Sequence, residues 1–133
     1  IIRGLGIEDD WLNRYPTELS GGEMQRFCIA RALAVKPKIL LMDEPFSAVD
    51  MQNRHSLQEQ LIGVWKRFKN TIVFVTHDVD EAVYLADKIV ILDKNPGRIA
   101  KIVEVDIERP RKRESEEFIQ LQESIVEGLD MGE

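Results

Sequence analysis

The sequence predicts an α/β fold built on a parallel sheet. Three short apolar segments are typical of strands, and they are Ile39–Met42, Thr71–Thr76 and Ile89–Leu92. A helical pattern of apolar residues separates each of these segments from the next. Strand, helix, strand, helix, strand in this order predicts a parallel sheet whose crossovers are right-handed.

The composition is that of a folded globular protein. A chain of 133 residues fits one compact domain, and 44% hydrophobic with 32% charged residues are ordinary globular values. The net charge of -6 offers no broad basic surface, so we expect no nucleic-acid partner. The single cysteine, Cys28, excludes an internal disulfide, and we expect it to be a small buried hydrophobe.

No segment has the length or composition of a membrane anchor or leader. The apolar runs are far shorter than the roughly 20 residues that a membrane-spanning helix needs. No charged and then apolar signal segment opens the sequence. We therefore expect a cytosolic or peripheral protein. The chain begins with Ile1 rather than methionine, which indicates a fragment or a processed form.

The first long helix is predicted to begin after Ser20. Ser20 and Glu23 have the spacing of a capping box, in which the serine side chain accepts from the third helical N–H and the glutamate reaches back. An apolar face follows and ends near Lys36-Pro37; its members are Met24, Phe27, Cys28 and Leu33.

The next elements follow from length and periodicity. Ile39–Met42 is wholly apolar, as expected of a strand buried on both faces. A second helix is indicated by the spacing of Leu57, Leu61, Val64, Trp65 and Phe68. After the strand Thr71–Thr76, residues Asp80–Ala86 are predicted to form a short helix.

The last third of the chain is predicted to form a hairpin, a linker and a helix. Asn95-Pro96-Gly97 indicates a turn, after which Ile99–Val105 is expected to return as a hairpin arm. The basic cluster Arg109–Arg113 is interpreted as a polar linker. A terminal amphipathic helix is indicated by Phe118, Leu121, Ile125 and Leu129.

Three polar side chains follow the predicted strands. Asp43 and Glu44 close the first strand, and Pro45 favours an extended backbone at Glu44. His77 closes the second strand. Ligands of open parallel sheets bind beyond the carboxyl ends of the strands, and a carboxylate is a hard oxygen ligand suited to magnesium. A second carboxylate can deprotonate a water, and an imidazole can donate to a phosphoryl oxygen. Alone, such carboxylates are more often caps and turn residues.

Two glycines open the first helix, and they allow two interpretations. Gly21 and Gly22 can simply form a tight turn that leads into a helix. Alternatively, the missing side chains let a phosphate approach the free N–H groups of the helix start. The two interpretations are compatible, because capping and anion binding use different N–H groups.

Four segments in order resemble the ATP-binding-cassette (ABC) ATPases. LSGGEMQRFCIARAL is similar to the signature motif, ILLMDEP to Walker B, SAVD to the D-loop, and TH to the switch-histidine segment. These segments cover residues 19 to 78. The tail, with HDVDEAVYLADKIVIL, NPGRI and RPRKRESEEF, resembles the nitrate/sulfonate/taurine branch of importer ATPases.

The resemblance implies that the signature residues bind a nucleotide in trans. Ser20, Gly21 and Gly22 are expected to contact the γ-phosphate of ATP held by the opposite subunit of a head-to-tail homodimer. Glu23 stands at the fifth signature position, where glutamine is commoner in the family. We expect its capping role to direct that charge away from the nucleotide.

The resemblance also assigns roles to the residues after the strands. Asp43 is expected to hold Mg²⁺, through water, and Glu44 to act as the general base. His77 is expected to sense the γ-phosphate and contribute to catalysis. Asp50 is expected to link the two sites of the dimer.

Half of the family's nucleotide machinery is absent from this sequence. No G-x-x-x-x-G-K-[ST] occurs, and Gly4-Leu5-Gly6 has no following lysine. The adenine-stacking loop and the Q-loop glutamine are also missing. We therefore expect a partial RecA-like P-loop NTPase domain that lacks the phosphate-loop half. Its predicted parts are residues 1–36 (end of the helical subdomain), 37–107 (RecA-like core with hairpin) and 108–133 (linker and terminal helix).

The predicted function is that of a carboxy-terminal portion of an importer ATPase, inactive as an isolated chain. Expected partners are a second ATPase subunit, transmembrane permease subunits and, indirectly, a solute-binding protein, at the cytoplasmic face of the membrane. One alternative is an ABC ATPase without a transport role. Others are a non-catalytic half-domain that pairs with a separate nucleotide-binding half, and a metallohydrolase that uses Asp43, Glu44 and His77.

Overall fold

A computed structural model describes residues 1–94 and 97–130 of the chain. These residues form two compact units, Ile1–Thr76 and His77–Glu133, which we call the amino-terminal and carboxy-terminal units. Each unit holds two of the four strands and two of the four α-helices found in the described residues. No described helix is both long and apolar enough to cross a membrane.

The amino-terminal unit alternates helices and strands. Three short 3-10 helices (Arg3–Leu5, Asp9–Asn13 and Pro16–Glu18) precede α1 (Gly21–Ala34), β1 (Ile39–Asp43), α2 (Met51–Phe68) and β2 (Thr71–Val75). The two strands are parallel, in a register that runs from Ile39 opposite Thr71 to Asp43 opposite Val75. The helices and strands predicted for this part of the chain are therefore confirmed.

One face of this small sheet is packed and the other is open. In β1, Leu40 is 6% exposed, whereas Leu41 is 73% exposed. Val73 and Val75 continue the open face on β2. The prediction that Ile39–Met42 is buried on both faces is wrong for the described structure, because the core residues of the chain cover only one side of it. An apolar run shows that both faces of a strand could be buried, but it does not show which other elements cover them.

The carboxy-terminal unit consists of two helices and an antiparallel hairpin. Its elements are α3 (Val79–Leu85), β3 (Lys88–Asp93), β4 (Arg98–Glu104) and α4 (Glu116–Asp130). Val83, Phe118 and Ile125 form its buried apolar centre, where α3 and α4 pack together. The predicted short helix, hairpin arm and terminal helix are confirmed, while Asn95 and Pro96 of the predicted turn lie outside the described residues.

The third strand differs from the prediction in its pairing. β3 pairs antiparallel with β4 and belongs to a separate two-stranded sheet, rather than extending the parallel pair of β1 and β2. Hairpin pairing with β4 uses one edge of β3, and within the described residues its other edge pairs with neither β1 nor β2. The order of strands and helices in a sequence therefore did not determine which strands are neighbours.

Candidate functional site

The start of α1 lies against the loop that follows β1 in the amino-terminal unit. A Cβ added at Gly21 would lie 3.8 Å from the Ala48 carbonyl oxygen, and one at Gly22 would lie 3.9 Å from Val49 Cγ1. The predicted signature segment and the predicted D-loop are therefore in contact.

The first turn of α1 is fixed by its cap. The Glu23 N–H donates to Ser20 Oγ at 3.2 Å, and the Ser20 N–H donates to Glu23 Oε2 at 2.7 Å. The predicted capping box is confirmed. Arg14 Nη1 lies 3.8 Å from Glu23 Oε1 and offsets its charge, a contribution that the sequence analysis did not identify. One carboxylate oxygen of Glu23 thus belongs to the cap, and the other lies near Arg14.

Gly21 and Gly22 are not required by the backbone or by packing. Neither has a positive φ, and an added Cβ would meet its neighbours at ordinary van der Waals distances. Gly6 is the opposite case. Its φ is +63°, and a Cβ there would lie 2.7 Å from Gln60 Nε2 and 2.8 Å from Arg26 Nη1. The contacts of this chain therefore explain Gly6 but leave the two glycines of α1 unexplained.

The turn after β1 has an unusual backbone at Glu44. Its φ is +44°, so the expectation of an extended conformation before Pro45 is wrong. The Glu44 N–H donates to the Val75 carbonyl oxygen at 2.8 Å, and this cross-strand bond supports the turn. A non-glycine residue in this region costs roughly 1–3 kcal/mol and is common at functional sites. The exposed Asp43 immediately precedes it.

Asp50 begins α2 and has a structural role of its own. Its carboxylate accepts from the Asn53 N–H at 3.1 Å and from Asn53 Nδ2 at 2.6 Å. These hydrogen bonds lower the pKa of the exposed Asp50 carboxyl. Arg54 Nη2 donates to the Val49 carbonyl oxygen at 3.1 Å and holds the loop before Asp50. Arg54 was not predicted; its one signal in the sequence is a cation in the first turn of α2, four residues after the N-cap Asp50.

His77 is the first residue of the carboxy-terminal unit and is exposed. It follows Thr76, the last residue of the amino-terminal unit, directly in the chain. The next residue, Asp78, is the N-cap of α3, and its Oδ1 accepts from the Glu81 N–H at 3.3 Å. His77 therefore stands at the start of a short capped helix.

The acidic residues at the end of β1 fit a magnesium nucleotide better than a self-contained metal centre. Among residues 1–94 and 97–130, no group of three or more His, Cys, Asp or Glu side chains converges as a metal site. Magnesium needs only one or two protein carboxylates when phosphate oxygens and water complete its shell. Asp43 meets that requirement, with its carboxylate exposed at the sheet edge.

The single cysteine differs from its prediction. Cys28, predicted to be buried, is only half-buried.

Comparison with known proteins gives one consistent family. The family profile described as "ABC transporter" matches residues 1–47. An uncharacterized ABC transporter ATP-binding protein of Methanocaldococcus jannaschii is 51% identical over 94% of this chain and 46% of its own length. The aliphatic sulfonates import ATP-binding protein SsuB of Bacillus cereus is 44% identical over 93% of this chain and 49% of its own.

Two further matches agree with these. The bicarbonate transport ATP-binding protein CmpC of Synechocystis is 57% identical over 83% of this chain and 16% of its own. A dimeric ATP-binding cassette in a post-hydrolysis state with ADP and Pi matches with a TM-score of 0.67 and 31% identity, over 80% of this chain and 45% of that chain. The chain is part of an ABC transporter ATP-binding domain, and its relatives fit the nitrate/sulfonate/taurine branch. It spans about half the length of the first relatives above.

Proposed function

We propose that this chain is the carboxy-terminal portion of the ATP-hydrolysing subunit of an ABC importer. It supplies the signature motif, Walker B, the D-loop and the switch histidine, while the remainder of the subunit holds the nucleotide phosphates. The names of the relatives from Bacillus cereus and Synechocystis, which refer to sulfonate import and bicarbonate transport, support transport as the process. The isolated chain hydrolyses no ATP, because it has no phosphate loop.

Asp43 and Glu44 carry the chemistry at the end of β1. Asp43 would hold Mg²⁺, through water, and the ion would supply charge neutralisation at the phosphates. Glu44 accepts the proton of the attacking water as general base. The left-handed backbone at Glu44, braced by the Val75 carbonyl oxygen, fixes where its side chain leaves the chain. That strained and braced turn is the observation that carries the proposal.

Ser20, Gly21, Gly22 and Glu23 form the surface that receives a second subunit's nucleotide. The absence of any packing requirement for the two glycines supports a role outside this chain, in close approach to a phosphate. The N–H groups at the start of α1 and the helix dipole favour an anion there. The subunit works as a head-to-tail homodimer, an assembly that the dimeric cassette similar to this chain supports.

His77 and Asp50 have one proposed role each. His77 donates to the γ-phosphate and senses its presence. Asp50 caps α2 and, from the loop that touches the signature turn, links the two nucleotide sites of the dimer. The dimer docks on transmembrane permease subunits at the cytoplasmic face of the membrane and acts indirectly on a solute-binding protein.

The direct test is Glu44→Gln in the full-length subunit that carries this chain. Loss of a positioned general base reduces turnover by roughly 10²–10⁴-fold. ATP binding is retained, and the ATP-bound dimer accumulates, since a negative charge near the γ-phosphate has been removed. Turnover, ATP affinity and dimer fraction are measured together. Glu59→Gln, at an exposed position of α2, is the matched control and keeps wild-type turnover. Wild-type turnover of Glu44→Gln would refute the assignment of the base.

A further inference from the structure

The helix that follows His77 is too short to hold its own position. α3 contains only seven residues, and isolated helices shorter than about 12–15 residues are marginal in water. Its N-cap, Asp78, is the immediate neighbour of His77. Whatever fixes α3 in the unit therefore also fixes the backbone from which the His77 side chain extends.

Arg111 holds the carboxyl end of α3. Its Nη1 donates to the carbonyl oxygens of Val83, Tyr84 and Ala86 at 2.8, 3.1 and 2.7 Å. Its Nε donates to the Ile107 carbonyl oxygen at 2.9 Å. The carbonyl groups at the end of α3 lack donors within the helix, and a cation is favoured at that end of the helix dipole. Burial lowers the pKa of Arg111 to about 10, so the guanidinium remains charged at neutral pH.

Two further arginines extend this contact along α3. Arg109 donates to the Leu85 carbonyl oxygen and to Asp87 Oδ1, both at 2.6 Å. Arg113 Nε donates to Asp80 Oδ2 at 2.8 Å, and its guanidinium lies 3.9 Å from the centre of the Tyr84 ring. We call Arg109, Arg111 and Arg113 the arginine clasp. The segment interpreted as a polar linker thus contacts α3 from its first turn to its last.

We propose that the arginine clasp is a positioning device for His77, with Arg111 as its central positioning residue. This inference rests on the proposed function of His77. The clasp touches no nucleotide; it acts through α3, whose N-cap Asp78 follows His77 directly and whose first turn begins at Val79. Without it, the short helix loosens and the imidazole loses its fixed approach to a phosphoryl oxygen. Misplacement of a catalytic group by about 1 Å reduces rates by up to 10²-fold.

The test is Arg111→Met in the full-length subunit, assayed well below its unfolding temperature. We expect kcat to fall roughly 10–100-fold, with KM for ATP unchanged within twofold. Amide hydrogen exchange in residues 79–85 becomes at least tenfold faster. Arg98→Met is the matched control, because Arg98 makes an exposed pair with Asp93 at 2.8 Å in the same unit; it changes neither kcat nor the exchange of α3. Arg111→Lys, which keeps a cation at the carbonyls, restores part of kcat.

A double-mutant cycle with His77→Ala separates this inference from the proposed function. If the clasp acts through His77, adding Arg111→Met to His77→Ala causes no further loss of kcat. Equal further loss in both backgrounds, or unchanged kcat with faster exchange of α3, overturns the inference and leaves the role of His77 intact. Wild-type kcat in His77→Ala overturns both. Arg113→Met, which removes a half-buried member of the clasp, repeats the test if Arg111→Met does not fold.

Discussion

The start of α1 and the arginine clasp differ in whether contacts within the chain account for their residue types. Each arginine of the clasp has partners within the chain, and Arg111 alone donates to four carbonyl oxygens. At the start of α1, no contact among the described residues requires Gly21 or Gly22 to be glycine. A residue type that internal contacts explain can be structural. For Gly21 and Gly22, the proposed explanation is a phosphate held by a second subunit.

The largest expected effect is a loss of ATP hydrolysis when Gly22, which no internal contact explains, is replaced. Gly22→Asp in the full-length subunit should reduce ATP hydrolysis at least 10²-fold, because a side chain and a negative charge then occupy the approach of the partner's γ-phosphate. ATP binding to the same subunit should be unchanged. The matched control is Gly63→Asp, at a position of α2 where an added Cβ meets nothing within 4 Å, and it should keep its turnover. Loss of ATP binding in the Gly22→Asp monomer would mean that the glycine serves the local fold.

The clasp should yield the largest change in stability. Arg111→Ala leaves several buried carbonyl oxygens without a donor, and we expect the free energy of unfolding to fall by on the order of 3 kcal/mol. Arg98→Ala removes only an exposed ion pair and should change it by less than about 1 kcal/mol. Urea unfolding of the full-length subunit, followed by a probe in the carboxy-terminal unit, measures both. Equal losses would show that the clasp is no more than a surface contact.

The open face of the β1–β2 sheet should promote self-association of the isolated chain. Ile39, Leu41, Val73 and Val75 are all 48% or more exposed there, and exposed apolar surface of this kind is typical of association sites. Light scattering should detect self-association, and Leu41→Lys with Val73→Lys should weaken it at least tenfold. Val35→Lys, at a residue 80% exposed outside the sheet, should leave it unchanged. A monomer at high concentration before any substitution would contradict this explanation.

The smallest expected effect concerns the cap of α1. Ser20→Ala removes the acceptor for the Glu23 N–H and should lower the free energy of unfolding by about 1 kcal/mol. Glu23→Gln keeps an oxygen that can accept from the Ser20 N–H and should cost less. Thermal unfolding of the two variants ranks them. The reverse order would mean that the charge of Glu23 beside Arg14 matters more than the cap.

Local patterns predicted the elements well, and contacts between distant segments were predicted poorly. The capping box of Ser20 and Glu23, the hairpin and the terminal helix follow from spacing alone, because a few neighbouring residues determine each of them. The separation of β3 from the sheet of β1 and β2 and the open face of β1 depend on what lies beside a strand, which periodicity does not encode. The alternation of Arg109, Arg111 and Arg113 is the one signal of the clasp, since alternate residues of an extended segment share a face.

The candidate site residues were predicted from motifs, and the structure added the backbone conformation and hydrogen bonds around them. The left-handed backbone of Glu44 was not predicted, because the general preference before proline is overridden here by a hydrogen bond to the neighbouring strand. The roles of Asp43, Glu44, His77 and the signature residues in hydrolysis stay predictions. They depend on a nucleotide and on a second subunit.

Calorimetric titration of the isolated chain with Mg²⁺-ATP tests whether these residues act only on a nucleotide held by other parts of the subunit and its dimer. Asp43 and Glu44 contribute negative charge, and no phosphate-loop lysine is present, so the chain is a poor receptor for a polyanion. We predict binding in the millimolar range or none, and no hydrolysis above background. Micromolar ATP binding by a monomeric chain would contradict the account.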